Sequence, residues 1–476
     1  VEHNLPSEVP FVMRIRVRML AGALAVLAIA VAPLILPSPA VREPAVRETP
    51  LQTGRPRLSN GWTTENRTEV DFISINGNEA FLETAQDFGW PGTGKEWDPI
   101  IIEGYFFRNT YHMFVATGTD LYWKFTNNIL DGIDEHWCEI VISNLCNAEI
   151  SNNVFMKGAV GIHTIRVNDS RFIANEMYEQ SFDGVYMEYS HRNMIAHNRF
   201  HDNGESGVYA WQSSTQNSIT GNEVFNCPYG FMLLAGASSN IVRGNDIHDI
   251  DQAGLHIQTA DNVIEGNLVH NVAGDGAGVS QSGNEIMGNR IYNNSGYGIN
   301  FASISGENTI SHNVFLFNQR AGVSLQRSEG NLIRENDFYH NGAAQAIAYE
   351  EDNTFSHNYW HEWIGNDTTG NGIIDTVKEI YGGVCIDLLP SLTPINTIPS
   401  WYSFVPITGP PPEEPEPTVT TTTMDQTTTG EDTANFTTGT SSAQNEAGSY
   451  ALFLMAGISG ILIVIALFQV SRPKEM

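Results

Sequence analysis

From Asn193 to Asn222 the chain reads NMIAHNRFHDNGESGVYAWQSSTQNSITGN. An asparagine is followed five residues later by another, an apolar residue stands two places after each, and the arrangement restarts at Asn217. The pair recurs as Asn193/Asn198, Asn217/Asn222, Asn240/Asn245, Asn262/Asn267, Asn284/Asn289, Asn308/Asn313, Asn331/Asn336 and Asn353/Asn358, and the second asparagine continues backward through Asn175, Asn153 and Asn128. Steps of 22 to 25 residues over eleven such positions mean a repeat architecture. Each unit has room for three short strands and three turns, and no helical 3.6 spacing appears inside it. The unit therefore reads as one coil of an all-β parallel β-helix of about eleven coils.

Coils of this kind stack at about 4.8 Å, so like residues fall above like residues. The column Asn198, Asn222, Asn245, Asn267, Asn289, Asn313, Asn336 and Asn358 is expected to be a structural hydrogen-bonded ladder. Two places after the asparagines stand stacked core residues such as Ile195, Ile219, Val242, Phe200, Val224 and Ile247. A third strand starts with glycine (Gly161, Gly184, Gly207, Gly230, Gly254, Gly278, Gly298, Gly322) and alternates in and out. Such a solenoid needs a cap at each end.

Outside the repeat, residues 1–40 carry a basic stretch, an apolar run and small residues at Ser38 and Ala40, as in a secretory signal peptide or an amino-terminal membrane segment. A linker follows over 41–71, then an amino-terminal cap over 72–127, repeats over 128–360 and a carboxy-terminal cap with an Asp/Asn/Gly loop over 361–408. The Pro/Thr-rich stretch 409–449 reads as a stalk. Residues 450–470 are apolar and uncharged, long enough for a transmembrane helix, and Arg472 and Lys474 place the tail 471–476 in the cytoplasm. The expected location is thus the cell membrane, single-pass, with the β-helix outside. A net charge of −30 speaks against a nucleic-acid partner. The four cysteines permit at most two disulfides.

Three stretches carry a family resemblance: FISINGNEAFLETAQDFGWPGTGKEWDPIIIEGYFF from Phe72, the asparagine repeats, and NYWHEWIGNDTTGNGIIDTV from Asn358. They resemble the NosD-like, carbohydrate-binding and sugar-hydrolase-type β-helix proteins, especially archaeal cell-surface forms. The resemblance implies a right-handed, pectin-lyase-like helix, a hand that also follows the rule for parallel crossovers. It further implies copper-site maturation for NosD proteins themselves. Copper delivery wants clustered His, Met or Cys, and His112 with Met113 is the one tight pair, so copper handling is the least favoured reading.

Outward positions of the glycine strand form two columns: His163, Tyr186, Tyr209, Met232, His256, Ser280, Asn300, Ser324, and beside it Ile165, Glu188, Trp211, Leu234, Gln258, Ser282, Ala302, Gln326. Tyr186, Glu188, Tyr209, Trp211, His256 and Gln258 suit stacking on sugar rings, although aromatics also fill exposed strand positions by propensity. His163, Tyr186 and Arg166 are the candidates for acid/base work on a uronate. Paired carboxyl groups could come only from turns, with Asp183, Asp202, Glu205, Asp249, Asp251 and Asp275 available and no spacing that joins them. Asp367, Thr369, Asn371, Ile373 by its carbonyl, and Asp375 occupy alternate places of a calcium loop, with Gly372 at its turn and Lys378 where a glutamate belongs. The alternative is a closing turn. The reading is a membrane-anchored surface protein that binds glycan or an envelope polymer, with calcium as its cofactor. A lyase or epimerase on the same face and an architectural rod are the alternatives.

Overall fold

The computed structural model describes residues 63–109, 111–132, 137–301 and 305–396. The expected signal segment, stalk, transmembrane helix and tail lie outside the described residues, as does Ala302. Among the described residues no helix is long and apolar enough to cross a membrane.

Three parallel sheets wind together, with strands taken in turn by each sheet along the chain. Strands after the first asparagine (Met194–Ala196, Ser218–Thr220, Ile241–Arg243) form one sheet. Those after the second (Arg199–His201, Glu223–Phe225, Asp246–His248) form another. The glycine-started strands (Val185–Glu188, Ser206–Trp211, Tyr229–Leu233) make the third. Isoleucine, valine and phenylalanine from all three meet in one continuous core that includes Ile195, Phe200, Val208, Ile219, Val224 and Phe231.

The asparagines sit at the bends between strands and are buried. Asn198 donates from its backbone N–H and from Nδ2 to Oδ1 of Asn222, at 2.9 and 3.0 Å, and Asn222 repeats this toward Asn245. Each amide also donates backward to a strand carbonyl, as Asn222 Nδ2 does to Ile195 O. The pattern holds from Asn128 to Asn358. It ends on Asp387, whose Oδ2 accepts from Asn358 N, Asn358 Nδ2 and Trp360 Nε1. A carboxylate suits that place because the last rung needs only to accept. The first-asparagine column forms a parallel ladder, and a shorter third one, not foreseen, runs through Asn294, Asn318, Asn341 and Gln345.

The glycine column has a steric cause. A Cβ on Gly230 would stand 2.2 Å from the carbonyl oxygen of Gly254, and one on Gly254 would stand 2.7 Å from that of Gly276. This last contact corrects the expected register: Gly276 rather than Gly278 opens its strand. His256 therefore pairs with Gly278, not Ser280, and Gly278 pairs with Asn300. Ser280 moves from the first outward column to the place beside Gln258 in the second, and Ser282 falls out.

The amino-terminal cap carries strands Ile73–Asn76 and Ile100–Glu103 and, between them, a helix that the sequence reading did not include. Residues Gly77–Phe88 form a helix that ends at Gly89, left-handed at φ 69°. Phe81 and Ala85, one turn apart, are its buried residues, and Phe81 packs 5.6 Å from Trp123. At the far end, Lys378–Glu379 pairs antiparallel with Ile386–Asp387 against the last coil, which covers an edge that would otherwise be open to pairing.

Candidate functional site

The outward face of the glycine sheet brings together most of the residues expected there. His163, Tyr186 and Tyr209 stand on successive strands in one column, and Glu188 and Trp211 in the next. Ring centroids lie 5.0 Å apart for His163 and Tyr186, 5.2 Å for Tyr186 and Tyr209, and 5.6 Å for Tyr209 and Trp211. All are partly exposed, so they form a continuous aromatic surface over three coils. One coil further, Met232 and Leu234 are buried and close this surface. His256 and Gln258 lie beyond them, joined by a 2.7 Å contact between Gln258 Nε2 and His256 Nε2. Tyr229, which the column reading missed because it opens its strand, packs 5.4 Å from His256. Arg166 is exposed and turns its guanidinium over Tyr189, 5.5 Å from the ring centre.

The electrostatics centre on His163. Burial alone would push its imidazole down, but Cys138, 3.9 Å from Nδ1, and Glu188, 3.8 Å from Nε2, outweigh this and lift it to about 9. The Glu188 contact is an ion-pair distance, longer than a hydrogen bond. Burial works against the Glu188 carboxylate, yet His163 holds it below its ordinary range. Burial and then Glu188 push the Tyr186 phenol up. The face thus sets the His163 imidazole between the Cys138 sulfur and the Glu188 carboxylate, next to the Tyr186 phenol. Asp183 and Glu205, on neighbouring coils, prove to be adjacent: burial raises both, Glu205 raises Asp183 further, and Ser206 Oγ donates to Asp183 at 2.6 Å.

The expected calcium loop folds on itself. Asp367 Oδ1 accepts from Gly370 N and Asn371 N, its Oδ2 from Gly372 N, and Asp375 Oδ2 from Thr368 N and Oγ1. Asn371 Oδ1 accepts from Ile373 N. Thr369 donates to Asp367 at 3.2 Å. The backbone donors, Gly372 foremost, hold the Asp367 carboxyl below its ordinary value. All four cysteines are thiols.

A second constellation lies on the second-asparagine sheet, on the outward residues flanking its core column. Tyr178, His201, Phe225, His248, His270 and Tyr292 stack in that order, with centroids 4.7 to 5.2 Å apart. Beside them run Glu176, Arg199, Glu223 and Asp246. The inward residues of these strands drew the sequence reading, and the phase one place on from each was the signal for the outward stack.

Two family models match the chain: "Periplasmic copper-binding protein (NosD)" over residues 103–273 and "Right handed beta helix region" over residues 233–381. The repeat is NosD-like. No curated protein matches the sequence. Among solved structures, similarity is found to the mannuronan C-5 epimerase AlgE6 A-module of Azotobacter vinelandii, at 13% identity and TM-score 0.40, covering 54% of this chain and 83% of that one. The periplasmic alginate epimerase AlgG is similar at 12% identity and TM-score 0.40, covering 60% and 82%. The catalytic domain of a GH87 alpha-1,3-glucanase in complex with nigerose is similar at 14% identity and TM-score 0.44, covering 61% and 69%.

The copper in the NosD family's description can be set against the donors present. Within the matched stretch Cys138 Sγ approaches His163 Nδ1 at 3.9 Å, and no further His, Cys, Asp or Glu donor joins that pair among the described residues; His112 Nδ1 faces the Cys138 carbonyl, Met113 is buried in the core, and Cys227 Sγ donates to Phe225 O. Among the described residues, the group of His, Cys, Asp or Glu atoms close enough to share an ion is Glu223, Asp246 and His248, all within 4.8 Å of one another. That nitrogen and oxygen set fits a divalent ion and not Cu(I).

Proposed function

We propose that this NosD-like β-helix binds a glycan or envelope polymer on the outward face of its glycine sheet. The observation that carries the reading is the unbroken surface of Tyr186, Tyr209 and Trp211, with rings stepping at 5.2 and 5.6 Å and Glu188 and His163 beside it. Aromatic faces supply apolar area to a sugar ring, while the partly exposed Glu188 carboxylate bonds its hydroxyl groups. From His163 to His256 there are four coil steps, about 19 Å at the usual spacing, which fits an extended chain lying along the rod.

The surroundings of these groups favour binding over turnover. A lyase or epimerase base must reach the substrate and accept its proton, whereas the His163 nitrogens face Cys138 and Glu188 and the Tyr186 phenol is pushed up by burial and Glu188. Anchoring outside a cell membrane through residues 450–470 is part of the proposal, supported by the uncharged apolar run there. Calcium at Asp367, Asn371 and Asp375 is a further part, supported by the spacing of these ligands.

A glycan array probed with the protein, in calcium and then in chelator, tests the reading. A sugar-selective signal that disappears in Tyr209→Ala and Trp211→Ala is expected. A signal that survives both substitutions would overturn the placement, and silence across neutral and acidic glycans would favour an architectural rod.

A further inference from the structure

The second constellation lies on a different sheet from the glycan face and needs no role there. Arg199 Nη1 donates to Glu176 Oε1 at 2.9 Å and Arg199 Nε to Glu223 Oε2 at 3.2 Å, so a guanidinium sits between two carboxylates of the outward column. The His201 imidazole closes that group, with Nε2 3.4 Å from Glu176 and Nδ1 2.6 Å from Asp202 Oδ2.

Two coils further the same plan recurs, with Asp246 at the column position that Arg199 holds. Glu223 is followed in the column by Asp246. His248 occupies the position of His201, its Nδ1 bonded at 2.8 Å to Asp249 Oδ2 and its Nε2 turned to Glu223 Oε1 at 3.7 Å. On the next coil His270 directs Nε2 to Asp246 Oδ1 at 3.2 Å. The Glu223 oxygen that Arg199 uses is Oε2, which leaves Oε1 toward His248. These side chains keep 16 to 30% of their surface open, enough for an ion to enter from solvent.

The His248 arrangement is that of a metal ligand. A ligating histidine usually gives its other ring N–H to a carboxylate, which fixes the tautomer and aims the free nitrogen at the ion. Asp249 stands in that outer position. Donor atoms around a tetrahedral ion with bonds of about 2.1 Å lie roughly 3.4 Å apart, close to the separations given for His248 with Glu223 and for His270 with Asp246.

We propose that Glu223, Asp246 and His248, with His270 alongside, form a site for a divalent first-row transition ion of the Zn²⁺ and Cu²⁺ class, with Asp246 and His248 two coils beyond Arg199 and His201. The mixed imidazole and carboxylate set selects these ions over calcium or magnesium, and the usual order of affinities puts Cu²⁺ above Zn²⁺. Asp249 is a positioning residue.

The test uses the full chain, titrated calorimetrically with Zn²⁺ and examined with Cu²⁺ by electron paramagnetic resonance. One Zn²⁺ per chain is expected. His248→Gln and Asp246→Asn each weaken binding at least tenfold, Asp249→Asn weakens it by about tenfold, and His201→Gln leaves it unchanged because its neighbours already hold Arg199. The Cu²⁺ spectrum shows coupling to imidazole nitrogen that declines in His248→Gln. All four side chains point outward, and unchanged circular dichroism confirms that each variant folds. Equal affinity in the wild type, His248→Gln and Asp246→Asn, or no bound ion in the wild type, overturns the assignment.

Discussion

Asn222→Ala is the sharpest probe of what holds the rod together. The side chain accepts from Asn198 N and Asn198 Nδ2, at 2.9 and 3.0 Å, and donates to Ile195 O and Asn245 Oδ1, at 2.9 and 3.0 Å. Asn222 is buried, so water cannot take its place without opening a coil. Four bonds at about 1 kcal/mol each give roughly 4 kcal/mol, and donors left unpaired in the interior carry the total higher. Stability in a solenoid depends on each neighbouring interface, and the lost rung touches two of them. Asn222→Asp should cost about as much, because a carboxylate can accept from Asn198 but offers Ile195 O no donor and sets its oxygen against that of Asn245. Urea unfolding followed by circular dichroism measures the loss, with the exposed Gln319→Ala as a control expected near zero. A loss below about 1 kcal/mol for Asn222→Ala would refute the ladder as a stabilising element.

Other outcomes follow from the same geometry. The His163 imidazole has its folded value raised from 6.5 to about 9, so its contribution is fully present below pH 6.5 and is lost as pH rises through 9. The upper bound is about 3 kcal/mol at 1.36 kcal/mol per pH unit, and His163→Phe should flatten this slope in unfolding curves taken from pH 6 to 10. Gly230→Ala forces a methyl group against the Gly254 carbonyl and Ile247 Cγ2 and should cost about 1 to 3 kcal/mol, measurable as a fall in the urea midpoint; an unchanged midpoint would contradict the close approach. If residues 367–375 bind calcium, the ion must displace the backbone donors that Asp367 now accepts. Calcium should then raise the melting temperature of the wild type and not of Asp367→Asn.

The coil was legible because stacking imposes one constraint on every repeat. Asparagine must recur wherever the bend needs both a donor and an acceptor, and the apolar residues that flank it must face inward. The register around Gly276 was not legible, since Gly274, Gly276 and Gly278 share parity. A slip of one residue would turn every side chain over, but a slip of two preserves the in/out pattern, so the length of the preceding turn had to decide it. The helix Gly77–Phe88 was missed because its buried stripe is only Phe81 and Ala85. Tyr186, Tyr209 and Trp211 were brought to one face by the strand period alone. The approach of Asp183 to Glu205, and the closing of the aromatic surface at buried Met232, depend on how turns and side chains settle between coils. The stack from Tyr178 to Tyr292 mixes tyrosine, phenylalanine and histidine, so it offers no single repeated letter, although every member occupies the same phase.

The central claim is that a sugar polymer lies on the Tyr186, Tyr209 and Trp211 surface. Affinity electrophoresis through gels containing neutral or uronate-rich polysaccharides tests it most directly, with the wild type and Trp211→Ala run side by side. The account predicts that at least one polymer retards the wild type in proportion to its concentration and that Trp211→Ala migrates as in an empty gel, the loss of one stacking ring costing on the order of 1 kcal/mol or more. Equal retardation of the two proteins would contradict it.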